Sequence, residues 1–198
     1  MREDGTKEEE TPALEPGLRD TLLKVARASV AHGLEHQAPV PVKPEDYPPS
    51  LRRPGASFVT LNIDGMLRGC IGSLEACRPL VVDVAANAYA AAFQDPRFPP
   101  LTRAELETAR IQVSVLGKPA AMRFTSEADL VRQLRPYRDG LIIEEGARRG
   151  TFLPSVWHSL PNPREFLRQL KLKAGLGGDY WSETLRIYRY TTESFEEH

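Results

Sequence analysis

The dipeptide Asp64-Gly65 most strongly constrains how this chain can fold, because it separates two segments in which polar and apolar residues alternate. The apolar side chains of the first segment occupy every second position, at Val59, Leu61 and Ile63. An Asp-Gly pair between two such segments is the strongest short-range signal for a tight β-hairpin. The sequence therefore predicts that residues 57–63 pair antiparallel with residues 66–71.

The second strand of this hairpin, Leu67-Arg68-Gly69-Cys70-Ile71-Gly72, carries a thiol between two glycines. Small neighbours allow a ligand or another backbone to approach Cys70 closely. Strand alternation predicts that Arg68 projects from the same face, and a nearby cation favours a reactive thiolate. Cys70 is therefore a candidate catalytic nucleophile, with Arg68, Gly69 and Gly72 as candidate substrate-binding residues. The alternative is that the thiol only fills the core, as free cysteines often do.

Two further segments carry polar residues suited to catalysis. Asp95 and Arg97 lie in a proline-rich loop, where they could present an acid and a bidentate anion binder, or form an ion pair that only shapes the turn. His158 could act as a base for a distant cysteine, or could be an ordinary surface histidine. Trp157 is a candidate substrate-binding residue. We expect one pocket to be lined by at least three of five polar side chains: Arg68, Cys70, Asp95, Arg97 and His158.

The composition is that of an ordinary soluble protein, since 41% of the 198 residues are hydrophobic, 27% are charged and the formal net charge is -1. This balance disfavours a nucleic-acid partner, and the apolar runs are too short to cross a membrane. The two cysteines, Cys70 and Cys77, are too few for a disulfide framework and lack the spacing of a zinc site. We therefore expect no metal, no cofactor and a cytoplasmic location.

Helical and strand-like segments are interspersed along the chain without an internal repeat. Helical spacing begins at Pro16, and Gly33 is expected to end that first helix. Because the clearest strand pair is antiparallel, the sequence predicts an α+β domain with a mixed, mainly antiparallel sheet flanked by helices. Residues 1–13 are expected to form a disordered acidic tail, and residues 14–198 a single domain with room for a small second lobe.

Four segments, in this order along the chain, resemble signature segments of the AMMECR domain family. They are Leu67-Arg68-Gly69-Cys70-Ile71-Gly72, Asp95-Pro96-Arg97-Phe98, Thr151-Phe152-Leu153-Pro154-Ser155-Val156-Trp157 and Lys173-Ala174-Gly175-Leu176. The resemblance covers roughly residues 14–197. Ser155 departs from the family pattern, which has glutamine there, so any ligand contact made by that amide would be weakened in this chain.

The resemblance implies a compact α+β domain, sometimes with a small second lobe, whose biochemical activity is not established. Bacterial and archaeal members resemble the protein A component of the AmmeMemoRadiSam system, whose other components are similar to a Memo-type metal-dioxygenase-like protein and a radical-SAM protein. This implies an enzyme or enzyme accessory that acts with those partners on an unknown small molecule or macromolecule. The other class of function is a non-catalytic binding module for a nucleotide, RNA or partner protein.

Overall fold

The Asp64-Gly65 hairpin forms as the sequence predicted. The computed structural model of the chain describes residues 14–197, and in it β1 (Ser57–Ile63) pairs antiparallel with β2 (Met66–Gly72). Both turn residues have a positive φ, 50° at Asp64 and 76° at Gly65, as a tight hairpin turn requires. A β-bulge interrupts the pairing, because Leu61 lies opposite Gly69 whereas Asn62 lies opposite Leu67.

The described residues divide into two compact units. The first unit comprises residues 14–116 and 193–197, and the second unit comprises Gly117–Thr192. The helices are α1 (Pro16–His36), α2 (Pro49–Arg52), α3 (Leu80–Phe93), α4 (Arg103–Thr108), α5 (Glu127–Gln133) and α6 (Pro163–Lys173). The remaining strands are β3 (Arg110–Leu116), β4 (Ala120–Ala121), β5 (Gly140–Glu145), β6 (Arg148–Phe152), β7 (Arg186–Tyr190) and β8 (Thr192–Glu196).

The first unit packs α1 and α3 against one face of a four-stranded sheet with the strand order β2-β1-β3-β8. The inward residues of β1 are Val59 and Leu61, which are fully buried, as the alternation predicted. Gly33 does not end α1, contrary to expectation, because the helix continues to His36 and Gln37 adopts the left-handed cap. Gly33 instead allows α3 to approach, since a Cβ there would lie 2.4 Å from the Phe93 ring.

The second unit has a four-stranded sheet with the order β4-β7-β5-β6, and α6 packs against β6. Its core combines the middle of β5 with aromatic and leucine side chains from the segments that follow. Its fully buried members include Trp157, Phe166, Leu167, Leu141 and Ile143. Both units therefore combine helices with an antiparallel sheet, which confirms the predicted α+β class.

Three helices begin with a side-chain cap. Thr102 and Glu105 form a reciprocal capping box at the start of α4. The side chain of Ser126 accepts a hydrogen bond from a backbone N–H in the first turn of α5, and Asn162 does the same for α6. None of the helices described between residues 14 and 197 combines the length and apolarity of a membrane span. The predicted disordered tail lies outside the described residues.

Gly69 is the position in the hairpin that least tolerates a side chain. A Cβ there would lie 2.1 Å from the backbone oxygen of Ala91 in α3. We expect Gly69→Ala to lower the free energy of unfolding by about 1–3 kcal/mol, as overpacking does. Urea denaturation would measure this loss. The matched control is Gly17→Ala, where a Cβ meets nothing within 4 Å, and equal effects of the two substitutions would contradict the packing described.

Candidate functional site

Cys70 lies on the edge strand of the first sheet, on the face turned away from the helices. Its neighbour Gly69 faces α3, so alternation turns the Cys70 side chain to the opposite face. Thr60 is its partner across the hairpin, and the threonine hydroxyl donates a hydrogen bond to Cys70 Sγ at 3.3 Å. The cysteine is half-buried and free of any disulfide. The thiol therefore lies at the surface of the sheet, in contact with a hydrogen-bond donor.

The main chain of Cys70 is bound by the Asp95-Pro96-Arg97 loop. Asp95 Oδ2 accepts a hydrogen bond from Cys70 N at 2.9 Å, and Arg97 Nη2 donates one to Cys70 O at 3.3 Å. In an antiparallel sheet, a neighbouring strand would supply the same pair of hydrogen bonds. The carboxylate and the guanidinium thus take the place of a missing strand. We name this arrangement the edge clamp, formed by Asp95 and Arg97 on Cys70.

The edge clamp is held together by its own ion pair. Arg97 donates from Nε to Asp95 Oδ1 at 2.9 Å and from Nη2 to Asp95 Oδ2 at 2.6 Å. The backbone N–H of Arg97 also donates to Asp95 Oδ1, at 3.1 Å. Asp95 is buried, with 4% of its surface exposed, whereas 54% of the Arg97 side chain is exposed. The carboxylate is therefore buried within the loop, whereas about half of the Arg97 side chain is open to solvent.

Electrostatics in the edge clamp follow from these contacts. The hydrogen bonds from the Arg97 side chain, followed by those from the backbone N–H groups of Cys70 and Arg97, hold the pKa of Asp95 well below its usual range. The pKa of Arg97 is raised, chiefly by its hydrogen bonds to Asp95, with a smaller electrostatic contribution from the nearby Cys70 side chain. Asp95 is therefore a carboxylate at any physiological pH, and the thiol is close enough to Arg97 to interact with its charge.

Arg68, predicted to lie beside Cys70, is engaged elsewhere. The β-bulge interrupts the alternation at this residue, and its guanidinium donates to both carboxylate oxygens of Glu105, at 2.8 and 3.2 Å, and to Pro99 O. The contact with Arg68, with help from Thr102, lowers the pKa of Glu105 to about 2. Arg68 is buried, and its Nη1 has no acceptor among the described residues. Its role here is to tie β2 to α4.

Gly72 has a packing role on the outer face of the hairpin. A Cβ there would lie 2.2 Å from the ring of Phe58, so the absence of a side chain lets that ring cover the end of β2. Gly69 allows a close approach on the inner face in the same way. The two glycines around the thiol therefore satisfy packing on both sides of the strand, whether or not a ligand binds nearby.

A buried polar network that the sequence reading did not identify anchors the far end of β2. The Asp83 carboxylate in α3 is fully buried and accepts from five groups. These donors are Ser57 N, Ser57 Oγ, Ser73 Oγ, Arg78 Nε and Asn87 Nδ2, at 2.7 to 2.9 Å. Asp83 and Asn87 stand four residues apart within an otherwise apolar helical stripe. These two polar residues are the feature of the sequence from which a buried network could have been predicted.

The two remaining predicted residues belong to the second unit. Trp157 lies in a short 3-10 helix (Pro154–His158), is fully buried and stacks on Phe166 with ring centroids 3.7 Å apart. Its Nε1 donates to Asp139 O at 2.7 Å. Trp157 is thus a core residue of its unit. His158 is exposed and its ring contacts Tyr137, at 5.3 Å between centroids. Ser155 is exposed.

Three of the five predicted polar residues are therefore in direct contact, namely Cys70, Asp95 and Arg97. The pocket that they were expected to line, and the participation of His158 in it, stay predictions. Among residues 14–197, no group of three or more His, Cys, Asp or Glu side chains is placed to hold a metal ion.

Comparisons with known proteins agree with the resemblance of the four segments. A family model described as AMMECR1 matches residues 23–195. A protein of Thermofilum pendens is 42% identical over 192 residues, which cover 89% of this chain and 88% of that protein. A protein of Methanothermobacter thermautotrophicus is 38% identical over 183 residues, which cover 89% of this chain and 93% of that protein.

The fold is also similar to that of a solved structure. The crystal structure of an uncharacterised protein from Pyrococcus horikoshii matches with a TM-score of 0.85 and 34% sequence identity, covering 93% of this chain and 94% of that one. Similarity over nearly the whole length, in sequence and in fold, agrees with the family match. The chain belongs to the AMMECR1 family.

Proposed function

We propose that this protein is a small enzyme, or the catalytic accessory of one, that uses the Cys70 thiol as a nucleophile on a substrate with an anionic group. The observation that carries the proposal is the position of Arg97. One flank of its guanidinium binds Asp95 and Cys70 O, while about half of the side chain, 54%, is exposed. A carboxylate or phosphate of a substrate could bind the exposed part of this side chain and would then lie close to the thiol.

Each contact of the thiol has a defined part in this proposal. Arg97 lies close enough to the Cys70 thiol to interact with it electrostatically, and a cationic neighbour is a common feature of reactive cysteines. The Thr60 hydroxyl donates to Sγ and would stabilise negative charge on it. The edge clamp fixes the main chain of Cys70, so the sulfur is held in one place before substrate binds. These three features are the ones that a cysteine nucleophile needs.

Asp95 receives a different role from the one predicted from sequence. A group that transfers protons efficiently has a pKa near the working pH. Asp95 is held ionised by Arg97 and has little surface to offer a substrate. We therefore assign it to positioning Cys70 and Arg97. His158 stays a candidate for proton transfer.

The family resemblance supports the remaining parts of the proposal. We propose a Memo-like protein and a radical-SAM protein as partners, because members that share these four segments resemble a component of that system. We propose a cytoplasmic location, because a reducing compartment would keep Cys70 as a thiol.

Alkylation rates test whether Cys70 is a nucleophile beside an anion site. Each cysteine is measured alone, Cys70 in the Cys77→Ser protein and Cys77 in the Cys70→Ser protein. We expect the ratio of the iodoacetate rate to the iodoacetamide rate to be higher for Cys70 than for Cys77. Arg97 attracts the anionic reagent, whereas the exposed Cys77 stands near the Glu75 carboxylate. Mass spectrometry of the labelled peptides would give the four rates at neutral pH.

A substitution in the edge clamp sharpens this test. Arg97→Gln should abolish the preference of Cys70 for iodoacetate, because the side chain keeps its polarity and loses its charge. Arg103→Gln is the matched control, since Arg103 pairs with Glu35 at the surface, where both side chains are more than half exposed. A Cys70 that reacts more slowly than Cys77 with both reagents, or a preference that survives Arg97→Gln, would contradict the proposal.

Acid denaturation tests the positioning role of Asp95. Its folded-state pKa lies below that of the unfolded chain, about 3.9, so its contribution to stability is present above that value and is lost as the pH falls further. Asp95→Asn should be less stable than the wild type at neutral pH and should lose less stability between about pH 5 and pH 2. Urea denaturation across this pH range would measure the free energy of unfolding of both proteins. Parallel curves of that free energy against pH would count against the buried ion pair.

A further inference from the structure

The turn between α5 and β5 holds an exposed tyrosine in a strained conformation. Tyr137 has φ 65°, in the left-handed region that glycine or asparagine adopts at little cost and a tyrosine does not. Its side chain does not compensate by burial, because 55% of the residue is exposed. Strain of this kind persists only where the surroundings impose it, and it clusters at functional sites. Packing in the second unit therefore does not explain why a tyrosine occupies this turn.

The surroundings that impose the strain are rigid and buried. The fully buried Asp139 carboxylate accepts hydrogen bonds from Arg135 N at 2.8 Å and Arg135 Nε at 2.9 Å, which closes the turn on either side of Tyr137. The backbone oxygen of Asp139 accepts from Trp157 Nε1, and Trp157 stacks on Phe166 in the core. The turn is thus fastened to the most deeply buried aromatic pair of the unit.

The same support holds a second exposed ring. His158 follows Trp157 directly in the short 3-10 helix, so the anchor that fixes the turn also fixes the histidine. The rings of Tyr137 and His158 lie 5.3 Å apart and are inclined by 57°. Two exposed aromatic side chains that carry polar atoms are therefore held in contact by the same buried support.

We propose that Tyr137 and His158 form a stacking site for a nucleobase. Tyrosine and histidine are rings on which unpaired bases stack, and a preformed platform loses little entropy when a base binds. Arg138 follows Tyr137 directly in sequence, which places a cationic residue of the kind that accompanies phosphates next to the tyrosine. An apolar peptide would need a contiguous apolar surface, which this arginine-rich turn does not provide. The site belongs to the second unit and does not depend on the chemistry of Cys70.

Nuclear magnetic resonance of the full chain tests this site with adenosine 5′-monophosphate, a short oligoadenylate and inorganic phosphate. We expect the two adenine ligands to shift the ring signals of Tyr137 and His158 saturably, and phosphate alone to leave them unchanged. A much tighter oligoadenylate identifies a single strand as the source of the base, and equal affinities identify a free nucleotide. Absence of a saturable shift with both adenine ligands would overturn the proposal, as would a stronger response to N-acetyltryptophanamide.

Substitution of the strained residue separates binding from structure. Tyr137→Gly removes the ring and adopts the left-handed turn freely, so it should weaken adenine binding roughly tenfold or more while the melting temperature stays equal or rises. Tyr137→Phe should keep most of the affinity, since stacking requires only the ring. A Tyr137→Gly protein that binds adenine like the wild type would overturn the proposal, and one that melts at a lower temperature would contradict its premise that the left-handed turn strains the tyrosine.

Discussion

The hydrogen bonds between the main chain of Cys70 and the side chains of Asp95 and Arg97 are the interaction on which the candidate site depends. An edge strand exposes unpaired N–H and C=O groups, which proteins must satisfy or protect. Here one carboxylate and one guanidinium supply both partners at the position of the thiol. Asp95 and Arg97 also belong to the loop that directly follows α3. A single ion pair therefore fixes the edge of the sheet, the loop that follows α3 and the main chain that carries the thiol.

The remaining features of the first unit are consistent with a strand that must not move. Gly69 lets α3 rest against β2 on the inner face, and Gly72 lets Phe58 cover the outer face. Arg68 ties the start of β2 to Glu105, and the Asp83 network fastens the residues that follow it. Buried charges are stabilising only when paired, and each of these carboxylates has several donors. The charged groups around β2 thus hold the strand, and Arg97 does so while about half of its side chain stays open to solvent.

Local sequence patterns were sufficient to predict those elements whose structure depends on residues close together in the chain. The Asp64-Gly65 hairpin is formed by residues close together in the chain, and it was predicted from them. The continuation of α1 through Gly33 was not, because the reason for that glycine is the approach of Phe93 from another helix. Alternation likewise could not place the Arg68 side chain, because a bulge is decided by the pairing of two strands.

The sequence predicted which residues form the site better than it predicted what each residue does there. Cys70, Asp95 and Arg97 were selected for their chemistry, and the structure joins them through main-chain contacts that no spacing rule describes. The strained Tyr137 has no signature in the sequence, because φ is known only once the turn is built. Trp157 was selected as a substrate contact and is fully buried in the core of its own unit, and its contact with a substrate stays a prediction.

Amide hydrogen exchange at Cys70 tests most directly whether the edge clamp replaces a strand. The account predicts that the Cys70 amide is protected in the wild type, although it lies on a sheet edge, and exchanges far faster in Asp95→Ala. The amide of Val59, inside the sheet, should keep its protection in both proteins and serves as the reference. A Cys70 amide that exchanges freely in the wild type, or that is equally protected without the Asp95 carboxylate, would contradict the account.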